Sequence, residues 1–290
     1  MATLKSTAAK LLAKRSIKKD QSWISKPGAT QLKVLQSLIS DAKHTSFGKD
    51  HHFDEIHNFS DLKKHVPIRD YEALRPYLDR VVDGEADVVW PGRPAYFAKT
   101  SGTTSGAKFI PLSTASVSFQ IKTGKSALFG YIVNAGNADF VNGKMIFLQG
   151  SPKLDDVNGV PTGRLSGISS NFTPSYLKKN RLPSWEANII EDWEEKLDAI
   201  VQETVNEDLT LITGIPPWVQ MYFERLLVVS GKQTIAEVFP NLALFITGGV
   251  AYEPYRARFE ELLGKRVGIL QTYATSEGFI AYQDQADSED

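Results

Sequence analysis

From residue 209 the chain settles into a regular alternation of two kinds of segment. "LTLITG" (209–214), "LALFITGG" (242–249) and "RVGILQTYA" (266–274) are short apolar runs rich in β-forming residues. Between them, "PWVQMYFERLLVVSG" (217–231) and "EPYRARFEELLG" (253–264) carry helical spacing and end on glycine. Strand–helix–strand repeated in this way demands parallel pairing, with helices covering the sheet. The expected fold class is therefore α/β, with mixed or parallel sheets flanked by helices. Sheets of this kind hold ligands beyond the carboxyl ends of their strands. "TGGV" (247–250) and "YATSEG" (273–278) fall at such ends.

The first 95 residues read as mainly helical. Leu32, Leu35, Leu38 and Ile39 share one face of a helix over 29–43, and a second helical stretch opens at Ser60 and breaks at Pro67. "RDYEALRPYLDRVVDG" then resumes helical spacing to Gly84. The N-terminus places six basic residues before its first acid, Asp20. That pattern imitates a transit peptide. The favoured reading is a first helix with Leu4, Leu11, Leu12 and Ile17 packed on the body.

Further on, extended pieces flank residues 100–108, a helix is expected over 114–133, and "GKMIFLQG" reads as a buried strand. Residues 150–183, rich in Gly, Ser, Pro and Asn, read as a long irregular insertion of the kind that shapes a site. Ser184 then caps an amphipathic helix that turns Trp185, Ile189, Trp193, Leu197, Ile200 and Val201 inward. Its acids, Glu191, Asp192, Glu194 and Glu195, form the solvated face.

"TSGTTSGAK" (100–108) is the chain's densest run of small and hydroxyl residues. A Walker loop needs G-x-x-x-x-G-K-[ST] leading into a helix. Here the Gly102–Gly106 spacing is one residue short, Ala107 separates glycine from lysine, and Phe109 stands where the hydroxyl belongs. The dinucleotide spacing G-x-G-x-x-G is absent as well. Two readings remain. In one, Gly102 and Gly106 aim backbone amides into an anion nest, Ser101, Thr103, Thr104 and Ser105 add hydroxyl donors, and Lys108 adds charge. In the other, the run is a hairpin tip, where the same residues are common.

"TSGTTSGAK", "TGGV" and "YATSEG", in that order, resemble the three nucleotide-site segments of the acyl-adenylate-forming (firefly luciferase-like) superfamily. Within it the chain is most similar to the auxin-responsive acyl acid–amido synthetases, the Gretchen Hagen family. "FGKDHHF", "VPIRDYEALRPYLDRVVDGE" and "ITGGVAYEPYRARFEELLG" extend that likeness along nearly the whole chain. The resemblance implies a ligase of the large N-terminal adenylating domain. ATP and a carboxylic acid would give an acyl-adenylate, and an amine or amino acid would then take the acyl group; the alternative readings are a non-catalytic ATP- or AMP-binding module and a structural or interaction protein.

It also implies residue roles. Ser101, Gly102, Thr103, Thr104, Ser105, Gly106 and Lys108 would hold the β- and γ-phosphates. Gly249, Val250 and Ala251 would lie along the adenine, with Tyr273 stacked on its other face. The Tyr273, Ala274, Thr275 and Ser276 run would complete the nucleotide site, Ser276 touching the α-phosphate, and Glu277 would bind Mg²⁺. Lys108, Ser276 and Glu277 are the catalytic candidates. Residues 1–95 would be the helical part, 96–183 the phosphate loop and acyl-pocket region, and 184–290 the nucleotide-binding part. The ending "AYQDQADSED" reads as a truncation inside the large domain, without the small C-terminal domain and its lysine.

The rest of the composition excludes more than it suggests. A net charge of -1 gives no electrostatic reason for a nucleic-acid partner. With no cysteine, disulfides, thiolate catalysis and thiolate metal ligation are ruled out, which is compatible with a cytoplasmic location. No apolar run reaches the length of a membrane span, and no membrane partner is expected. His44, His51, His52, His57 and His65 lie within 22 residues. Their spacing matches no known ligand pattern, and a polar surface loop is the favoured reading. Trp185, Trp193, Trp218, Tyr222 and Phe223 read as core. Ser166–Tyr176 and Phe119–Phe129 are the expected walls of an acyl pocket, and Arg164 is the basic residue to test there.

Overall fold

Helix α1 (Leu4–Ile24) keeps one of its four expected inward residues, the half-buried Ile17, and turns the three leucines outward. Ser6, Ala13 and Asp20 are buried, while Leu4, Leu11 and Leu12 are 91%, 59% and 56% exposed. The inward residues recur every seven positions and are mostly small, so the backbone rests close on its support and the leucines point to solvent. Ala13 joins Met145, Leu211, Leu244 and Leu270 in one core cluster.

The computed structural model describes residues 3–100, 108–172 and 178–285. They fall into a smaller unit, Lys18–Ser118 with Leu154–Leu165, and a larger one, Met1–Ile17, Phe119–Lys153 and Ser166–Asp290. In the smaller unit, α2 (Pro27–Ala42) starts on proline and buries Leu35, Ile39 and Ala42 against Phe53 and Ile56. The next three helices each begin at a side-chain cap. Thr45 caps α3 (Ser46–Asp50), Asn58 caps α4 (Phe59–His65), and Asp70 caps α5 (Tyr71–Val82). The break expected at Pro67 is found, since α4 ends at His65.

The smaller unit's sheet has the order β2-β1-β5-β4. Strands β1 (Tyr96–Thr100) and β2 (Lys108–Leu112) pair antiparallel, with Thr100 opposite Lys108. So the hydroxyl-rich run does join two strands. Strand β5 (Val160–Gly163) lies parallel to β1, and β4 (Asp155–Val157) returns antiparallel to β5. Asn158 and Gly159, both with positive φ (53° and 79°), form the two-residue turn between them. Asn-Gly is the preferred sequence for such a hairpin turn. The expected irregular insertion over 150–183 is therefore corrected here: "VNGV" was a hairpin signal. That region also holds α7 (Leu165–Ser170) and the short strand β6 (Arg181–Leu182).

The larger unit carries the alternating segments on a six-stranded sheet, order β10-β9-β8-β7-β3-β6. Strands β3 (Lys144–Phe147), β6, β7 (Leu209–Thr213), β8 (Leu244–Gly248) and β9 (Gly268–Ala274) run parallel, and β10 (Phe279–Tyr282) turns back antiparallel. Successive residues of β8 show why helices lie on both faces: Leu244 packs in one cluster and Phe245 in the other. Helix α6 (Thr114–Ala135) supplies Ala127 and Ile132 to the first cluster. The mixed α/β class is as expected.

The helix expected from Ser184 is two helices. Ser184 caps α8 (Trp185–Asn188), and Asp192, expected on a solvated face, caps α9 (Trp193–Thr204) by accepting the Glu195 N–H at 2.9 Å. A second cap inside the apolar pattern restarts the helix, and Trp185 is left exposed. Helices α10 (Pro216–Ser230), α11 (Ile235–Val238) and α12 (Arg256–Leu263) complete this face with Tyr222, Phe223, Ile235 and Phe259.

Candidate functional site

In the larger unit two turns leave neighbouring strands at the same end of the sheet. Strands β8 and β9 run parallel with Gly248 opposite Thr272, so Gly249–Ala251 and Tyr273–Glu277 both emerge at carboxyl ends. Two glycines shape the first turn. A Cβ on Gly248 would stand 2.4 Å from the Thr272 carbonyl oxygen, and Gly249 has φ +82° with Ile215 beside it. Both positions exclude a side chain, one by contact and one by backbone conformation. Val250 and Tyr273 then present open surfaces, 46% and 57% exposed, and Ala251 is exposed too.

The second turn is tied by its own threonine. The Thr275 N–H donates to the Gly278 carbonyl at 2.9 Å, and the Gly278 N–H donates to Thr275 Oγ1 at 3.2 Å. Ala274, exposed, pairs with Phe279 where β10 begins. Within this closed turn Ser276 is half-buried, and its carbonyl accepts a long bond, 3.5 Å, from the amide of buried Gln120 on α6. Glu277 is exposed at the tip, and no ion pair engages it among the described residues. The structure thus brings Gly249, Val250, Ala251, Tyr273, Ala274, Thr275, Ser276 and Glu277 to one end of one sheet.

Lys108 belongs to the smaller unit, as the first residue of β2. Its ammonium lies 4.9 Å from the centroid of the Tyr71 ring, and the Tyr71 hydroxyl accepts the Phe109 N–H at 3.1 Å. Ser101, Gly102, Thr103, Thr104, Ser105 and Gly106 lie outside the described residues. Tyr71 and Gln120 were not singled out from the sequence. An aromatic at a helix start and a glutamine inside a helix carry no local signature of the contacts they make.

Of the expected pocket walls, Phe119 and Phe172 are exposed, Gly167 and Ile168 are buried, and Tyr176 lies outside the described residues. Arg164 is exposed in the smaller unit. A half-buried cation in this region is instead Arg181. It donates to the Ser170 carbonyl at 2.9 Å and lies 5.1 Å from the Phe147 ring centroid. Desolvation holds its guanidinium below the usual arginine value.

The histidine cluster is not simply a polar surface. His51 is buried and stacked on Phe47, with Nδ1 2.8 Å from the Phe47 carbonyl and Nε2 2.7 Å from Arg69. His52 and His65 flank the Glu55 carboxylate at 4.0 and 3.7 Å. No group of three or more His, Asp or Glu among the described residues is arranged to hold a metal. Tyr222 and Phe223 are core as expected, and Trp193 packs on Trp218 at 5.0 Å. No helix among the described residues is long and apolar enough to cross a membrane.

Residues 17–180 match a family model described as the GH3 family N-terminal domain. Among curated proteins, a 4-substituted benzoates-glutamate ligase, GH3.12 of Arabidopsis thaliana, is 51% identical over 52 residues, 17% of this chain and 9% of its own. An indole-3-acetic acid-amido synthetase of the same plant, GH3.15, is 34% identical over 83 residues, 28% of this chain and 14% of its own. The jasmonoyl-L-amino acid synthetase JAR4 of Nicotiana attenuata is 24% identical over 139 residues, 47% and 24% of the two chains. In fold, the chain superposes on the GH3.15 acyl acid amido synthetase with a TM-score of 0.72 at 13% identity, covering 89% of this chain and 55% of that one. A 2-hydroxyisobutyryl-CoA ligase in complex with an acyl-AMP gives 0.57 at 12% identity, covering 87% and 49%. The chain therefore spans about half the length of the solved relatives it matches, and the likeness to them is one of fold.

Proposed function

The chain belongs to the GH3 family, carrying its N-terminal domain in residues 17–180, and from that premise we propose that it serves ATP-dependent adenylation of a carboxylic acid, followed by transfer of the acyl group to an amine or amino acid. The observation that carries this reading is the convergence of the Gly249–Ala251 and Tyr273–Glu277 turns at adjacent carboxyl ends of β8 and β9. In this reading 184–290 is the nucleotide-binding part, 96–183 the phosphate-loop and acyl region, and 1–95 its helical support.

A carboxylate is already ionised near neutral pH, so the acid needs no base to become a nucleophile. It attacks the α-phosphorus of ATP, a P–O bond forms, and pyrophosphate leaves. The amine then attacks the acyl carbon, and AMP leaves with the former carboxylate oxygen. The barrier to the first step is repulsion between two anions, and it is lowered by fixed donors and positive charge. Lys108, with the amides and hydroxyls of Ser101–Gly106, meets the β- and γ-phosphates. The exposed backbone at Gly249, Val250 and Ala251 flanks the adenine, the open ring of Tyr273 stacks on it, and Ala274, Thr275 and Ser276 lead to the α-phosphate. Glu277 offers one exposed carboxylate, the hard oxygen donor that suits Mg²⁺ when phosphates and water fill the remaining positions. Such an ion supplies charge neutralisation of the triphosphate.

Calorimetric titration of the 290-residue chain with Mg-ATP tests the site, and pyrophosphate exchange with a panel of carboxylic acids tests the chemistry. Saturable nucleotide binding with acid-dependent exchange is expected. Absence of nucleotide binding rejects the site. Binding without exchange from any acid favours a nucleotide-binding module over a ligase.

A further inference from the structure

Lys108 is oriented by a π face, and no carboxylate pairs with it among the described residues. The distinction matters for a group meant to meet an anion. A carboxylate partner would orient the ammonium but also cancel its charge. An aromatic ring attracts it through the ring quadrupole and leaves the full charge available.

Tyr71 grips two consecutive residues by two different parts of its side chain. The hydroxyl accepts the Phe109 N–H at 3.1 Å, which fixes the backbone at the start of β2. The ring, 4.9 Å from Nζ, sets where the lysine side chain lies. Tyr71 is itself well anchored. It opens α5 directly after Asp70, whose carboxylate accepts the Ala73 N–H at 2.9 Å. Near the other end of the helix, Val81 packs with Phe97 of β1, against which Phe109 also rests. Helix and hairpin are thus fastened together at both ends of α5.

We propose that Tyr71 is a positioning residue for Lys108: its ring preorganises the ammonium to receive the nucleotide's terminal phosphates without neutralising it. This rests on the proposed phosphate-binding role of Lys108. A lysine left free on its four-carbon stem would have to be ordered when the nucleotide binds, and the ring removes part of that cost beforehand.

A double-mutant cycle on Mg-ATP affinity, read by calorimetry on the 290-residue chain, tests it. Tyr71→Leu removes ring and hydroxyl, Tyr71→Phe keeps the ring, and Tyr71→Met is a second ring-free variant should leucine not fold. Circular dichroism and urea midpoints verify that each variant is folded. The ring-free variants are expected to bind about fivefold more weakly, Phe to restore most of that loss, and the loss to vanish in a Lys108→Ala background. An equal loss with and without Lys108 would make Tyr71 a purely structural anchor and overturn the proposal. So would tighter binding in Tyr71→Leu, which would make the ring a competitor of the phosphates. Unchanged affinity in Lys108→Ala alone would instead reject the phosphate role of the lysine, and this inference with it.

Discussion

Gly248 and Thr272 oppose each other across β8 and β9 so closely that a methyl group on the glycine would stand 2.4 Å from the Thr272 carbonyl oxygen and 2.8 Å from its hydroxyl. The Thr272 hydroxyl in turn donates to the Thr247 carbonyl at 3.0 Å, so neither partner is free to retreat. Gly248→Ala is therefore expected to cost about 1–3 kcal/mol, the range for forcing a methyl into a packed site. The urea midpoint measures this. Mg-ATP affinity should fall as well, because the strain lies where both turns begin. A variant with wild-type stability would show that the strand pair yields easily.

Glu277 sits at the tip of a turn closed by Thr275 and Gly278. Changing it to Gln removes charge without disturbing the bonds that close the turn. Affinity for ATP is expected to drop in the presence of Mg²⁺ and to stay unchanged in EDTA. An equal drop under both conditions would mean that Glu277 acts on the nucleotide or the turn and not through the ion.

On α1 the exposed leucines and the buried alanine make opposite predictions from residues two positions apart. Leu11→Ser should change stability by less than about 0.5 kcal/mol. Ala13→Leu, at a fully buried position, should destabilise by roughly 1–3 kcal/mol. Guanidinium unfolding of both variants decides it. The reverse ranking would restore the packing that the leucine pattern suggests.

Tyr222 gives an alkaline signature. Thr204 spends its only hydroxyl hydrogen on the Ile200 carbonyl at 2.7 Å, so Tyr222 must be the donor in the 2.7 Å contact between the two hydroxyls. Desolvation by burial raises the phenol above its ordinary value of 10.0. The unfolded chain then releases this proton first, so stability is intact below pH 10 and falls as pH rises beyond it. Tyr222→Phe is expected to lose about 1 kcal/mol at neutral pH and to show a shallower alkaline decline. Parallel slopes in the two proteins would contradict this.

Much of the frame was legible because it rests on local rules. The alternation over 209–274 repeats a chemical pattern that only a covered parallel sheet satisfies, and α4 stops where Pro67 forbids continuation. The Asn158-Gly159 turn was equally readable, and the loop-like composition around it masked the signal. Asp192 was harder. A cap and a surface acid look alike until the backbone turns beneath them.

By itself the sequence determined the α/β class, the family, and the three segments proposed to meet the nucleotide, because each depends on residue types at short spacing. Tertiary structure alone decided three matters. Small residues of α1 face inward because backbone approach, not side-chain hydrophobicity, governed that contact. The Gly249 and Tyr273 turns share one end because β8 and β9 pair in parallel across roughly twenty residues of intervening chain. Tyr71 meets Lys108, 37 residues further on, because α5 packs beside the β1–β2 hairpin. Long-range pairing has no local signature, since its free energy is gained only once distant surfaces have been brought together.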